Sequence, residues 1–335
     1  MFGLELSFIW AGIIAFAVLV YVILDGFDLG VGILFPLSES EKERDVMMNS
    51  VAPVWDGNET WLVLGGGGLF AVFPLAYAVI MPALYMPITL MLLALVFRGV
   101  AFEYRWRTTR WKSVWDMAFT GGSVTAAMMQ GIALGALVQG IEIEDRAYSG
   151  GWWDWLTPFS ILTGVAVTIG YALLGATWLN MKLEGRVQAH MRRVAWPFAL
   201  ATVAFMGFVS LATPFLDPVY FERWFAWPFI GFTSIVPVLI AFCVWRLFAG
   251  LKSDRDAEPF LAAIGMFVLG FIGVGISFYP NMVPPSLSIV DAAAPDKSLK
   301  FALVGTVVLI PMILAYTAYS YWVFRGKIDP DEGYH

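Results

Sequence analysis

Nine stretches of this chain are long and apolar enough to cross a bilayer, whose hydrocarbon core of about 30 Å takes about 20 residues of helix. They run at about 7 to 36, 51 to 73, 78 to 100, 116 to 140, 156 to 180, 194 to 214, 225 to 248, 259 to 280 and 301 to 324. Charges or Pro/Gly clusters bound them, and the link from Pro74 to Ala78, which carries no charge, is expected to be a tight turn. The pattern predicts an all-α integral membrane protein. No linker or low-complexity segment divides the 335 residues, so 1–335 reads as a single polytopic membrane domain. The N-terminal stretch has no cationic lead and carries Glu5, so it reads as the first span rather than a cleaved signal.

The distribution of Lys and Arg gives the expected orientation, because cytoplasmic loops retain them. Alternating the loops places 16 of the 20 positive charges on one side, from Lys42 and Arg44 through Arg98, Arg105 and Arg193 to Lys327. Only Arg146, Arg223, Lys297 and Lys300 fall opposite. The N-terminus is therefore expected outside and the C-terminus in the cytoplasm, with lipid as the surrounding medium.

Absences narrow the chemistry further. Charged residues make up 14% of the chain, against about 25% in soluble domains, and the net charge of -6 offers no basic surface to a nucleic acid. A single cysteine, Cys243, can form neither an internal disulfide nor a thiolate cluster. The two histidines, His190 in an inner loop and His335, lie outside the spans, so no intramembrane histidine is offered to a haem iron and no metal site is expected.

Ionisable groups inside spans are costly and mark function. Asp25 and Asp28 are three apart in the first span, which puts both carboxylates on one helix face, and Asp56 and Glu59 repeat the spacing in the second. At 1.5 Å per residue the first pair lies roughly 12 to 17 Å from the inner end of its span and the second pair roughly 8 to 12 Å. Arg98, at the inner end of the third span, is the nearest candidate counter-ion. Four carboxylates sharing one guanidinium cannot all stay ionised in a low dielectric, so the set should hold and release protons as a proton pathway does. The plainer reading is that Asp56 and Glu59 complement a helix N-terminus, with Arg98 as a structural counter-ion. Gly26 and Gly30 form a GxxxG helix-packing pair beside the aspartates, and Gly65 to Gly68 suit close approach of the second span to a neighbour.

The run Asp25-Gly26-Phe27-Asp28-Leu29-Gly30-Val31-Gly32, then Val51-Ala52-Pro53-Val54-Trp55-Asp56-Gly57-Asn58-Glu59-Thr60-Trp61-Leu62 and Phe97-Arg98-Gly99-Val100-Ala101-Phe102-Glu103, resembles subunit II of the cytochrome bd-type quinol oxidases. The compact length and short outer loops resemble that family's cyanide-insensitive branch. The resemblance implies two four-helix bundles plus one peripheral helix, and a place in the respiratory chain of a bacterial inner (cytoplasmic) membrane. It also implies a haem-bearing partner, subunit I, where quinol is oxidised and O2 reduced to water. Some members add a small single-span subunit, and in some this subunit holds a structural quinone. The family leads protons through the aspartate of Trp-Asp-Gly-Asn, here Asp56, and through a first-span carboxylate, matching Asp25 or Asp28. Glu59 stands where some members have Gln.

Two rivals use the same residues. A proton-coupled secondary transporter would also need intramembrane carboxylates, but it calls for discontinuous helices at the midplane and a repeat relating two halves. A purely structural scaffold would use the carboxylates only to pair with subunit I.

Overall fold

The computed structural model describes residues 5–253 and 255–328. In chain order its elements are α1 Leu6–Leu34, α2 Glu41–Asn49, α3 Trp55–Val72, α4 Pro74–Ala83, α5 Tyr85–Arg107, α6 Lys112–Gln139, the short strands β1 Ile143–Glu144 and β2 Ala147–Tyr148, α7 Pro158–Lys182, α8 Gly185–Ala212, α9 Pro218–Phe225, α10 Ile230–Thr233, α11 Ile235–Lys252, α12 Glu258–Phe278, β3 Asn281–Val283, β4 Leu287–Ser288, α13 Ile289–Ala292 and α14 Asp296–Val323. Each strand pair is an antiparallel hairpin in a connection between long helices.

Eight helices are long and apolar enough to cross a membrane: α1, α5, α6, α7, α8, the α10–α11 unit, α12 and α14. The ninth place belongs to α3. Its glycines and its polar first turns lower its hydropathy, but at 1.5 Å per residue its 18 residues extend about 27 Å. It runs antiparallel to α1, with Asn58 beside Leu24 and Gly68 beside Ile14. The chain is thus a multi-pass helical membrane protein. One group comprises α1, α3, α5 and α6, and a second comprises α7, α8, α11 and α12. The groups meet where α7 packs on α1 and α6, and α14 lies outside them, touching α1 and α3.

The α1–α7 contact is backbone on backbone. A Cβ added at Gly30 would lie 1.9 Å from the Tyr171 carbonyl oxygen, and one at Gly175 would lie 2.3 Å from the Gly30 carbonyl carbon. Only glycine at both positions lets the helices approach this closely. Of the Gly65 to Gly68 run, Gly65 and Gly68 face α1 while Gly66 and Gly67 meet nothing.

Several boundaries differ from the sequence expectation; among them, the seventh span runs Ile230–Lys252 rather than 225–248. The uncharged link after α3 is not a tight turn: Pro74 starts α4, where its fixed φ and missing N–H suit the first helical position. α4 packs among the two hairpins, and its Ala76, Val79 and Ala83 join Val283, Leu287, Ile289 and Ala292 in a separate apolar cluster. The third span accordingly shifts from 78–100 to Tyr85–Arg107, so Arg98 is nine residues inside the helix rather than at its end. His190 lies within α8 rather than in a loop.

After α14 the chain turns back under the second group. Lys182 Nζ donates to the carbonyls of Phe324 and Gly326, the latter at 2.7 Å. Lys327 Nζ donates to the Leu183 carbonyl at 2.9 Å, and the Ile328 N–H donates to the Lys182 carbonyl at 3.0 Å. At the other end of α14, Trp10 Nε1 donates to the Leu299 carbonyl at 3.1 Å.

Candidate functional site

Asp25 and Asp28 are both fully buried, and the α1 face they share meets a fully buried arginine, Arg98 of α5. Arg98 Nη1 lies 3.3 Å from Asp25 Oδ1, and Nη2 lies 4.0 Å from Asp28 Oδ2. Gly122 of α6 makes the space behind the arginine: a Cβ there would lie 3.1 Å from Arg98 Cβ and 2.6 Å from the Ala94 carbonyl oxygen. The rings of Trp55 and Phe102, stacked at 4.7 Å and 3° apart, flank the guanidinium with centroids 6.0 and 5.5 Å from its carbon.

A third carboxylate arrives from α3. Glu59 Oε1 accepts from Arg98 Nη1 at 2.7 Å, and its side chain is 24% exposed, so it is the member of the cluster open to the surroundings. Three carboxyl groups therefore face one guanidinium. Among the described residues, Oδ1 of Asp28 and Nε and Nη2 of Arg98 have no hydrogen-bond partner, and Asp25 has only the nearby Tyr21 hydroxyl and Arg98 to meet its two oxygens. Buried polar atoms are normally satisfied, so the cluster keeps spare hydrogen-bonding capacity deep between three helices. That capacity suits taking up water or exchanging protons.

Asp56 is not brought to this cluster. It sits exposed on the first turn of α3, where its charge complements the helix N-terminus, while the longer side chain of Glu59 one turn on reaches inward. The four carboxylates thus form a gradient of exposure, from Asp56 outside, through Glu59, to Asp25 and Asp28 inside.

Sequence reasoning missed the polar side chains that frame the cluster. Asn58 is 1% exposed; its Nδ2 donates to Asp28 Oδ2 at 2.7 Å and its Oδ1 accepts from Tyr321 Oη at 2.9 Å. Farther along α1, Gln130 Nε2 donates to Tyr21 Oη at 2.7 Å, and Tyr171 Oη donates to Gln130 Oε1 at 2.8 Å. Gln130 and Asn58 are polar amides in apolar helices, and Tyr21 precedes Asp25 by one helical turn; those signals were readable.

Around the basic end a second set of charges ties the short helix α2 down. Arg105 is fully buried rather than a loop cation, and donates to Asp116 Oδ1 at 2.5 Å and Asp45 Oδ1 at 2.6 Å. Arg44 holds the other Asp116 oxygen at 2.9 Å, and Lys112 meets Glu41 at 2.5 Å. α2 and the link before it are tied to α8 here by His190 Nδ1 with Glu43 Oε1 at 2.9 Å and by Arg186 with Glu39 at 2.6 Å. The hydrogen bond and charge of Arg186 hold the Glu39 carboxyl below the usual carboxylate range, and Lys112 does the same for Glu41.

Among the described residues no group of three or more His, Cys, Asp and Glu side chains could hold a metal ion.

Comparison with known proteins sets this geometry in context. Residues 6–324 match the family model described as cytochrome bd terminal oxidase subunit II. The chain is 33% identical to cytochrome bd-I ubiquinol oxidase subunit 2 of Escherichia coli, over 98% of this chain and 96% of that protein. It is 30% identical to cytochrome bd ubiquinol oxidase subunit 2 of Bacillus subtilis, with 97% of each covered. In fold it is similar to a chain of the bd oxidase from Geobacillus thermodenitrificans, with a TM-score of 0.78 at 16% identity, over 96% of this chain and 99% of that one.

Proposed function

Since this chain belongs to the cytochrome bd terminal oxidase subunit II family, we propose that it is the haem-free second subunit of a bacterial quinol:oxygen oxidoreductase, a single membrane domain seated beside a haem-bearing subunit I, and that its carboxylates lead protons from the cytoplasm toward the site of oxygen reduction in that partner. The observation that carries the reading is the cluster of Asp25, Asp28 and Glu59 around Arg98, with one member partly exposed and two fully buried. Reduction of O2 to water consumes protons. Drawing them from the side with the basic loops makes turnover separate charge without a pump.

Each residue has a distinct task in this scheme. Asp56, exposed at the start of α3, collects protons; Glu59 passes them inward; Asp25 and Asp28 hold them in the interior, where Arg98 offsets the charge left behind. His190, the one histidine among the described residues, is bound to Glu43 near the basic start of α8, which supports the haem-free reading.

The test is oxygen consumption per spectroscopically intact complex. Asp56→Asn, Glu59→Gln, Asp25→Asn and Asp28→Asn each keep shape while removing a titratable group. Slower turnover with a normal haem spectrum is expected, and Asp56→Glu should recover part of the rate. Full activity in Asp56→Asn, with undiminished charge separation in proteoliposomes, removes Asp56 from the pathway. A Soret band from the chain expressed alone would sink the haem-free assignment.

A further inference from the structure

At the basic end of the second helix group, an open groove of about 510 Å³ lies between α8 and α11, lined by Gln188, Ala189, Arg192, Arg193, Trp196 and Leu251. Arg192 is already engaged, donating to Asn180 Oδ1 at 2.9 Å and Asp256 Oδ1 at 2.8 Å. Arg193 is exposed, and its hydrogen bond is a long one, 3.4 Å from Nε to the Ala189 carbonyl of its own helix. Lys252, which ends α11, is exposed as well, with its ammonium 5.9 Å from the centroid of the Trp196 ring. Neither cation has a carboxylate partner among the described residues. Glu39, the carboxylate that senses Arg193 at longer range, is held by Arg186.

We infer that this groove binds the phosphodiester headgroup of an anionic phospholipid, with an acyl chain laid along α8 and α11. The headgroup end is supplied by the Arg193 guanidinium, whose planar fork matches phosphate oxygens, and by the Lys252 ammonium. One turn deeper stands Trp196, its ring 5.3 Å from that of Phe248, an amphipathic pair of the kind that sits at headgroup level. Beyond it the wall is apolar and open: Leu200, on the Arg193 face of α8 seven residues on, is 60% exposed, and Trp245 of α11 is also 60% exposed. Basic pockets between transmembrane helices recognise anionic headgroups through this combination of unpaired cations and a lipid-facing wall. A free phosphate would use the cations and leave the wall idle.

Native mass spectrometry of the complex, purified with its partner subunits, stripped of lipid in detergent and titrated with dioleoylphosphatidylglycerol, dioleoylphosphatidylcholine or inorganic phosphate, tests this. The wild type should retain one phosphatidylglycerol more than Arg193→Gln/Lys252→Gln, whose affinity at that site should fall about 30-fold at about 1 kcal/mol per basic residue. Arg193→Lys/Lys252→Arg, which keeps both charges, should retain most of the binding. Lys297→Gln/Lys300→Gln, which removes equal charge at the opposite end, should change nothing. Equal phosphatidylglycerol retention by wild type and the double Gln variant overturns the assignment. Equal retention of phosphatidylcholine reduces the groove to ordinary lipid contact, and displacement by millimolar phosphate makes it a small-anion site; either result also overturns it.

Discussion

Asn58 Nδ2 donates to Asp28 Oδ2 at 2.7 Å, and the same amide accepts from Tyr321, so one side chain joins the buried carboxylates of α1 to the outermost helix α14. Asn58→Leu should leave two groups unmatched in the interior, Asp28 Oδ2 and the Tyr321 hydroxyl, at about 1–3 kcal/mol each, whereas Tyr321→Phe strands only Asn58 Oδ1, at about 1–3 kcal/mol. The thermal midpoint of the assembled complex reads the difference. Equal losses in the two variants would mean that the Asp28 bond contributes nothing.

Arg98 is the sole cation among three carboxyl groups in the described cluster. Removing one partner of a buried ion pair costs about 3–5 kcal/mol, so Arg98→Met should abolish or sharply reduce the yield of assembled complex. Arg98→Lys keeps the charge without the fork and should assemble with lower stability. Adding Asp25→Asn and Asp28→Asn to Arg98→Met should restore part of the yield, because the charges left stranded are gone. No restoration would indicate that Arg98 acts through packing on Trp55 and Phe102 instead.

The joint between α1 and α7 predicts a contrast between two glycines. Gly30→Ala puts a methyl group 1.9 Å from a backbone oxygen, so the helices must separate. Overpacking costs about 1–3 kcal/mol, a drop visible in the thermal midpoint. Gly66→Ala meets nothing within 4 Å and should be neutral or slightly stabilising. A Gly30→Ala protein as stable as wild type would show that the joint relaxes freely.

The ties on α2 predict an acid dependence. Arg186 and Lys112 hold the Glu39 and Glu41 carboxyls below their ordinary values. Groups depressed in the folded state contribute stability above their unfolded values and lose it as the pH falls through the folded ones, here below about pH 4. Hydrogen exchange in residues 38–49, corrected for intrinsic rate, should therefore accelerate in that range. Salt should weaken the ties at neutral pH, and Arg186→Gln should remove the part due to Glu39. Exchange in this segment that does not change between pH 5 and pH 3 would contradict it.

The charged members of the interior were readable because charge inside an apolar run is conspicuous. Asp25, Asp28 and Arg98 stood out for that reason, and Glu59 by its spacing from Asp56. Asp56 misled because i,i+3 spacing fixes a shared face only loosely; side-chain length then decided which of the two reached Arg98. The position of Arg98 was misjudged because Glu103, Arg105 and Arg107 read as the start of a loop, whereas α5 carries them onward and buries Arg105 against Asp45 and Asp116. The uncharged link from Pro74 to Ala78 reads as a tight turn, although a proline suits a first helical position equally well. Asn58, Gln130 and Tyr21 escaped notice because neutral polar groups do not lower the hydropathy of a span enough to interrupt it.

The return of the chain after α14 has a bearing on biogenesis. In α14 the 18-residue stretch that marks it as a span has no residue buried within the chain, so its seat depends on Trp10 holding Leu299 at one end, on the Tyr321–Asn58 bond, and on the Lys182 and Lys327 contacts at the other end. Residues 324–328 leave the ribosome last among these contacts, long after Lys182 and Leu183 have entered the membrane. Until α14 has emerged as far as Tyr321, Asn58 has no hydroxyl to satisfy its carbonyl. Seating of α14 therefore ends with a latching step, and a nascent chain stalled before residue 321 presents the earlier helices with the Asn58 carbonyl still lacking its Tyr321 partner.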